Sequence, residues 1–362
     1  MNPRGRTPPV QDDVAAGARR GRHSDRIGYA CPVKNSFRAL VARKNDSGYA
    51  VALEELTIAD LPEGEVLIEV THSSLNYKDG LAVTARGRII RKFPMVLGID
   101  IAGTVVESSS PDFKPGDRVA GTGQGIGEMT WGGYTQMQRV SADALVPLPD
   151  TLSTEQAMQI GTAGVTAMLA VMGLEMASVL PGEREVVVTG AAGGVGSIAV
   201  MLLAERGYKV AASTGRTELG AWLREIGAAS VLPRSELARK ASPLESETWA
   251  GGIDTVGGET LATLYAQTAY EGAVAVCGMA GGYEINATVW PMILRNVSLI
   301  GISSVRTPKP KRLVAWKRLA QDLNRDKLAS ISRTEALSDI QRLAEEILAS
   351  QVRGRVVIDV NR

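Results

Sequence analysis

One stretch limits what this chain can fold into more than any other. It is Val186-Val187-Val188-Thr189-Gly190-Ala191-Ala192-Gly193-Gly194-Val195-Gly196, followed by Ser197-Ile198-Ala199-Val200-Met201-Leu202-Leu203-Ala204. The valines read as a buried strand, the glycines as a tight turn and the apolar run after them as a helix. A strand, a glycine turn and a helix in that order open a doubly wound fold that binds a dinucleotide. One glycine position makes the turn and one lets the backbone approach a pyrophosphate; Gly196 lets helix and strand pack closely. The pyrophosphate then rests on free N–H groups at the positive end of the helix, with Ala192, Gly193, Gly194 and Val195 as the residues to cradle it. The spacing departs from G-x-G-x-x-G at one point, where Ala191 stands in place of the first glycine.

Strand–helix alternation continues through Tyr208–Arg216, Ser230-Val231-Leu232, Ile253–Val256, Ala273–Cys277 and Ser298–Ile302, which predicts a parallel α/β sheet binding its ligand at the carboxyl ends of the strands. Ahead of it, from Phe37 to about Pro149, short β-like runs are separated by Gly/Pro/Asp turns, the pattern of a small barrel-like domain. A helix is expected over 151–180. Helical spacing returns at Val314–Leu323 and Leu337–Leu348, and a last strand, Arg355–Val360, is expected to pair back with the first domain. The expected division is a disordered basic extension over 1–36, a catalytic domain over 37–160 completed by 305–362, and a nucleotide-binding domain over 161–304.

At 362 residues the chain is long enough for two cores. A net charge of +1 gives no electrostatic case for nucleic acid or a membrane surface, and no apolar run suggests a membrane span. Two cysteines, Cys31 and Cys277, fit a reducing cytoplasm. With only His23 and His72 as histidines, a Cys/His zinc site has nothing to be built from, so no metal is expected. The residues 1–36, with Arg19-Arg20-Gly21-Arg22, lack the apolar centre of a signal peptide.

The end of the second strand of such a sheet decides between dinucleotides: a carboxylate there suits the ribose hydroxyl of NAD, a basic residue the 2′-phosphate of NADP. This chain carries Ser213-Thr214-Gly215-Arg216 and no acid until Glu218, so NADPH is expected, gripped by Thr214, Gly215 and Arg216. The short-chain dehydrogenases share a similar glycine pattern but need a later Tyr-x-x-x-Lys. Here Tyr265, Tyr270 and Tyr283 are followed four residues on by Ala269, Val274 and Ala287.

Ala191–Gly196 resembles the phosphate loop of the zinc-independent medium-chain dehydrogenase/reductases. Leu97-Gly98-Ile99-Asp100-Ile101-Ala102-Gly103 stands where zinc-dependent members carry a ligand histidine. Ser74–Asp79, Arg88–Arg91, Trp131-Gly132-Gly133, Gly161–Gly164, Ile253–Gly257 and Ile293–Val297 resemble one subgroup, the NADPH-dependent acrylyl-CoA reductases among the quinone oxidoreductase-like proteins. The resemblance runs from about Phe37 to the C-terminus. It implies a Rossmann doubly wound parallel sheet plus a GroES-like β-barrel, reduction of a short enoyl-CoA, and a homodimer. It also implies that Tyr77, in a motif like the Asn-Tyr-x-Asp of related enoyl reductases, lies beside the nicotinamide as proton donor or orienter, with Asn76 and Asp79 holding it.

Further cofactor contacts are expected from Thr162 and Thr166, from Cys277-Gly278-Met279 and Ser303-Ser304 just after strands, and from Asn361 at the end of the last strand. CoA carries phosphates, so Arg88, Arg91, Lys92, Lys311 and Arg312 are candidates for its grip. The rival readings are an NADPH:quinone oxidoreductase, which needs no basic cleft mouth, and a protein that binds NADPH without turnover.

Overall fold

A computed structural model describes residues 36–46 and 48–362; apart from Ser36, the extension read over 1–36 lies outside the described residues. Two β-rich sheets occupy the first part of the chain. Strand β1 (Ser36–Asn45) pairs antiparallel with β2 (Gly48–Thr57) on one side and with β4 (Met95–Val96) on the other. The larger sheet is built from β3 (Val66–Ser74), β5 (Asp100–Ser108), β6 (Arg118–Thr122), β7 (Met137–Val140) and β8 (Leu145–Pro147). It is joined by two strands from the far end of the chain, β15 (Ser332–Ala336) and β16 (Arg355–Asp359). Their order is β15-β16-β3-β5-β6-β8, with β7 also on β3. The last strand thus pairs with the first sheet as expected, antiparallel, with Val357 opposite Ser74.

The second unit is a six-stranded sheet in the order β11-β10-β9-β12-β13-β14. Its strands are β9 (Val186–Thr189), β10 (Val210–Thr214), β11 (Ser230–Pro233), β12 (Trp249–Asp254), β13 (Thr268–Val276) and β14 (Ser298–Gly301). Every pairing in it is parallel. That order reverses direction between β9 and β12, which is where a doubly wound sheet opens a crevice for a dinucleotide. Helices α3 (Gly194–Glu205), α4 (Gly220–Glu225), α5 (Gly258–Gln267) and α6 (Trp290–Arg295) connect or flank these strands. The valine run of β9 is buried throughout because both faces of a parallel sheet are covered.

Helix α2 (Thr154–Met176) ties the two sheets together. Its side chains share one core with Ala102, Ala120 and Val146 of the barrel strands and with Val186, Val188 and Ile198 of the nucleotide unit. By length and mean hydropathy (1.5) α2 could cross a membrane, which the sequence reading did not anticipate; 83% of its apolar window is buried inside the protein. Beyond β14 the chain adds α7 (Lys309–Asp322), α8 (Arg325–Ser330) and α9 (Ile340–Leu348). Helix α1 (Tyr77–Val83) packs on α9.

Candidate active site

The glycine turn is as tight as its sequence requires. A Cβ on Gly196 would lie 2.3 Å from the Gly190 carbonyl oxygen and 2.7 Å from Ala191 Cα, so no larger residue fits. Gly193 caps α3, leaving the amides of Gly194, Val195 and Gly196 without intrahelical acceptors at the positive helix end. The Ala191 amide donates to Ser213 O at 3.0 Å, joining the turn to β10. At the crevice floor, Thr189 Oγ1 donates to Asp254 Oδ1 (2.7 Å) and Thr255 Oγ1 to Thr189 O (2.8 Å), which locks the ends of β9 and β12 together. This cradle fits a pyrophosphate.

At the end of β10, Thr214 Oγ1 accepts the Arg216 amide at 3.0 Å. The Arg216 fork donates to Gln351 O (3.3 Å) and Val352 O (3.0 Å). Arg234, which the sequence reading missed, lies against the same spot: a Cβ on Gly215 would meet its guanidinium carbon at 2.7 Å. Burial pulls Arg216 below its ordinary pKa; Glu218 opposes this, and Arg353 and Arg234 add to it. Among the described residues neither Arg216 nor Arg234 has an ion-pair partner. Two converging guanidiniums lacking a carboxylate suit a phosphate dianion.

Between the glycine turn and the barrel lies a buried polar cluster that the sequence reading saw only in part. Asn76 precedes α1, and its amide donates to Asp79 Oδ2 (2.8 Å). Its side-chain Nδ2 donates to Asp79 Oδ2 (3.2 Å) and to Asp100 Oδ2 (2.8 Å). Asp79 also accepts the Ile99 amide at 3.0 Å. Ser74 Oγ donates to Asp100 Oδ2 (2.5 Å) and accepts from Arg355 Nη2 (2.9 Å), bridging carboxylate and guanidinium. Arg355 donates further to the carbonyls of Gln159 (2.9 Å) and Leu75 (3.3 Å). Ser74, Asp79, Asp100 and Arg355 are all buried. Asn76 and Asp79 fix the first turn of α1, the turn that carries Tyr77, a residue 45% exposed. Arg355 also reaches the glycine turn: its Nη1 lies 3.0 Å from where a Cβ on Gly194 would stand.

Helix α2 breaks at this cluster. Gly161 has φ 51° and ψ −161°, and a Cβ there would sit 2.7 Å from both Arg355 Nη2 and Asp100 Oδ2. The break lets Thr162 turn its amide (3.0 Å) and its hydroxyl (2.6 Å) onto Asp100. Thr166 Oγ1 donates to Thr162 O (2.7 Å) and lies 3.0 Å from Ser304 Oγ, so Thr162, Thr166 and Ser304 come together. Ser303 is exposed and its carbonyl accepts Thr307 Oγ1 at 2.7 Å. Cys277 Sγ donates to Asp254 O (3.3 Å), and burial, then the charge of Asp254, pushes the thiol up to about 12. Gly278 packs on the Thr255 backbone and Met279 is exposed.

Two expected contacts are corrected. Asn361 does not reach the cleft: it accepts from Gln136 Nε2 (3.1 Å) and receives Arg38 on its carbonyl, six residues beyond Arg355 and roughly 20 Å along the strand direction. Because β16 runs antiparallel to β3, it is the start of β16, not its end, that meets the glycine turn. Arg312 is not available to a ligand. It is 1% exposed and donates to the carbonyls of Thr307, Ala144 and Asp143, tying α7 to the barrel. Lys311 beside it is exposed, as are Arg88, Arg91 and Lys92 in the segment between α1 and β4.

Burial, then the nearby charge of Asp100, raises Asp79 to about 7. A folded carboxyl that holds its proton more tightly than the unfolded one makes stability fall as pH rises between the two pKa values. The contribution of Asp79 to unfolding free energy is therefore expected to decline from about pH 4 to about pH 7. Asp79→Asn should flatten that decline, and denaturant titrations across the window check it. A wild-type-minus-variant difference that does not fall over the same window would contradict the assignment.

The family model described as Alcohol dehydrogenase GroES-like domain matches residues 62–150, and that described as Zinc-binding dehydrogenase matches 194–320. Among the described residues no three His, Cys, Asp or Glu side chains gather in a way that could hold a metal. The chain is 52% identical over 328 residues to acrylyl-CoA reductase AcuI of Ruegeria pomeroyi, covering 90% of this chain and 99% of that one. The crystal structure of Escherichia coli YhdH with bound NADPH is 49% identical, covers 89% of this chain and 100% of its own, and superposes with a TM-score of 0.87. The Salmonella enterica yhdH oxidoreductase in complex with NADP, 48% identical over 89% of this chain and 99% of its own, gives the same TM-score. Barrel, parallel sheet, glycine turn and these likenesses agree: the chain belongs to the acrylyl-CoA reductases of the medium-chain dehydrogenase/reductase family.

Proposed function

We propose that this chain reduces acrylyl-CoA to propionyl-CoA with NADPH, and that Tyr77, presented by the Asn76–Asp79 turn, delivers the proton. The observation that carries the reading is the buried Asn76–Asp79–Asp100–Arg355 cluster, wedged between the glycine turn and the helix that begins with Tyr77. When bound, NADPH supplies the hydride that the β-carbon of the enoyl thioester accepts. The electron pair displaced from the C=C bond moves onto the thioester as an enolate. The Tyr77 O–H then gives its proton to the α-carbon and is reprotonated from water. Thr162, Thr166 and Ser304, which lie together, are the residues we assign to orient the cofactor. Arg88, Arg91, Lys92 and Lys311 are the exposed cations for the CoA phosphates.

Purified protein with NADPH should lose reduced-nicotinamide absorbance on addition of acrylyl-CoA. Its kcat/KM for acrylyl-CoA should exceed that for a benzoquinone by at least about tenfold, a difference of about 1.4 kcal/mol. The opposite ranking would move the assignment to a quinone oxidoreductase.

A second copy of this chain is the partner we propose. Strand β14 is the edge of the parallel sheet, and Val289, Trp290, Met292, Ile293 and Leu299 are exposed on and beside it. An unpaired edge flanked by apolar side chains is complementary to itself under a two-fold rotation. Sedimentation at micromolar concentration should give twice the monomer mass; a monomer there removes the proposal. A reducing cytoplasm is the compartment we favour, since Cys277 is a free thiol.

A further inference from the structure

Residues 351–355 touch the nucleotide unit repeatedly. The carbonyls of Gln351 and Val352 accept both arms of the Arg216 fork. The Gly354 amide donates to Ala192 O in the glycine turn at 3.0 Å. Arg355 lies against Gly194. Between these anchored positions Arg353 projects its guanidinium over the Trp222 ring, 5.1 Å from the centroid. Trp222 belongs to α4, the helix that follows the Thr214-Gly215-Arg216 turn.

We infer that Arg353, carried by this C-terminal segment and held over Trp222, is a third cation for the adenosine 2′-phosphate beside Arg216 and Arg234, and so a residue that sets preference for NADPH over NADH.

Three arguments support this. Arg353 has no ion-pair partner among the described residues, and its charge already acts on Arg216, helping to hold that group below its ordinary pKa. Like charges gathered with no ion-paired carboxylate, Glu218 acting on Arg216 only from beyond ion-pair distance, are costly unless an anion arrives, and a phosphate dianion supplies one. The indole beneath the guanidinium limits its rotamers while leaving its N–H edge free to donate. The hydrogen bonds on either side of Arg353 keep the segment from moving away when the site is empty. The cofactor grip is therefore shared between the two units, with one cation coming from the strand connection that also seats Arg355. The inference rests on the NADPH reading.

The test uses the full chain and calorimetry with adenosine 2′,5′-bisphosphate, adenosine 3′,5′-bisphosphate and 5′-AMP. Arg353→Met keeps the apolar cover over Trp222 but removes the charge; Arg353→Lys restores a charge without the fork. A hydrogen bond to a charged group corresponds to about a tenfold or greater change in affinity. Arg353→Met should weaken the 2′,5′-bisphosphate by about that factor and leave 5′-AMP within about twofold. Arg353→Lys should recover most of the loss, and the KM for NADPH should rise in Arg353→Met with little change for NADH. Equal weakening of the 2′,5′-bisphosphate and 5′-AMP would make Arg353 only a packing residue and overturn the inference. So would unchanged binding, or a loss confined to the 3′,5′ isomer that matches the CoA head. If wild type itself fails to prefer the 2′,5′-bisphosphate over 5′-AMP, the NADPH reading falls first and this inference with it.

Discussion

Arg355→Ala is expected to lower unfolding free energy by about 3–5 kcal/mol, the loss typical when one partner of a buried charge network is removed. The guanidinium is fully enclosed and spends its donors on Gln159 O, Leu75 O and Ser74 Oγ, with Met158 O and Asn76 Oδ1 farther off. Its charge opposes the fields of Asp100 and Asp79, which themselves hold it up against the burial that pulls its pKa down. Without it, two carboxylates face each other in a dry site with the bridging serine serving only one of them. Asp79 should then hold its proton still more tightly, so the fall in stability toward neutral pH should steepen. Arg355→Lys should recover little, because a point charge cannot reach the carbonyls that a planar fork spans. Chemical denaturation at pH 5 and pH 7 measures both effects. A loss under about 1 kcal/mol at both values would mean that the cluster tolerates an absent cation, as an exposed pair does.

Tyr77→Phe should lower kcat for acrylyl-CoA by about 10²–10⁴-fold while NADPH affinity stays within a few-fold. The substitution keeps the ring and removes only the acid. The side chain is nearly half exposed at the first position of α1, so folding stability should be almost unaffected. Single-turnover kinetics separate the steps: hydride transfer and protonation slow together if they are concerted. A loss smaller than about tenfold would show that the α-carbon takes its proton from another donor, and the family assignment would stand regardless.

How far the sequence revealed this molecule follows from the range of its interactions. The parallel sheet was legible because β9 is a local signal: valines buried on both faces, glycines where only glycine fits, then an apolar helix. Strand β2 was not, since most of its side chains are exposed and it carries little apolar alternation. Strand β15, Ser-Arg-Thr-Glu-Ala, was missed because it carries no large apolar side chain, although four of its five residues are partly buried. In the polar cluster, Asn76 and Asp79 came from the resemblance to an Asn-Tyr-x-Asp motif, which is local in sequence; their hydrogen bonds across the helix start are seen only in the fold. Ser74 and Asp100 fall within sequence motifs, but nothing local gives them a reason to face each other. Arg355 had no signal at all, because what makes it special is burial against residues about 280 positions away. Arg312 misled in the opposite sense: a charged residue in a basic loop is ordinarily solvated, and nothing local shows that three carbonyls will enclose its fork.

The pairing of β16 with β3 also fixes when the enzyme can become complete. Ser74 and Arg355 stand 281 positions apart, so at about 5–20 residues per second a nascent chain waits on the order of tens of seconds before the partner emerges. During translation the edge of β3 that β16 will cover is open to other strands, while the residues of the parallel sheet, 186–301, have all left the ribosome. A truncation of the last eight residues removes Arg355 with the strand. It should therefore yield a chain that retains its nucleotide fold, aggregates through an open edge and never acquires turnover.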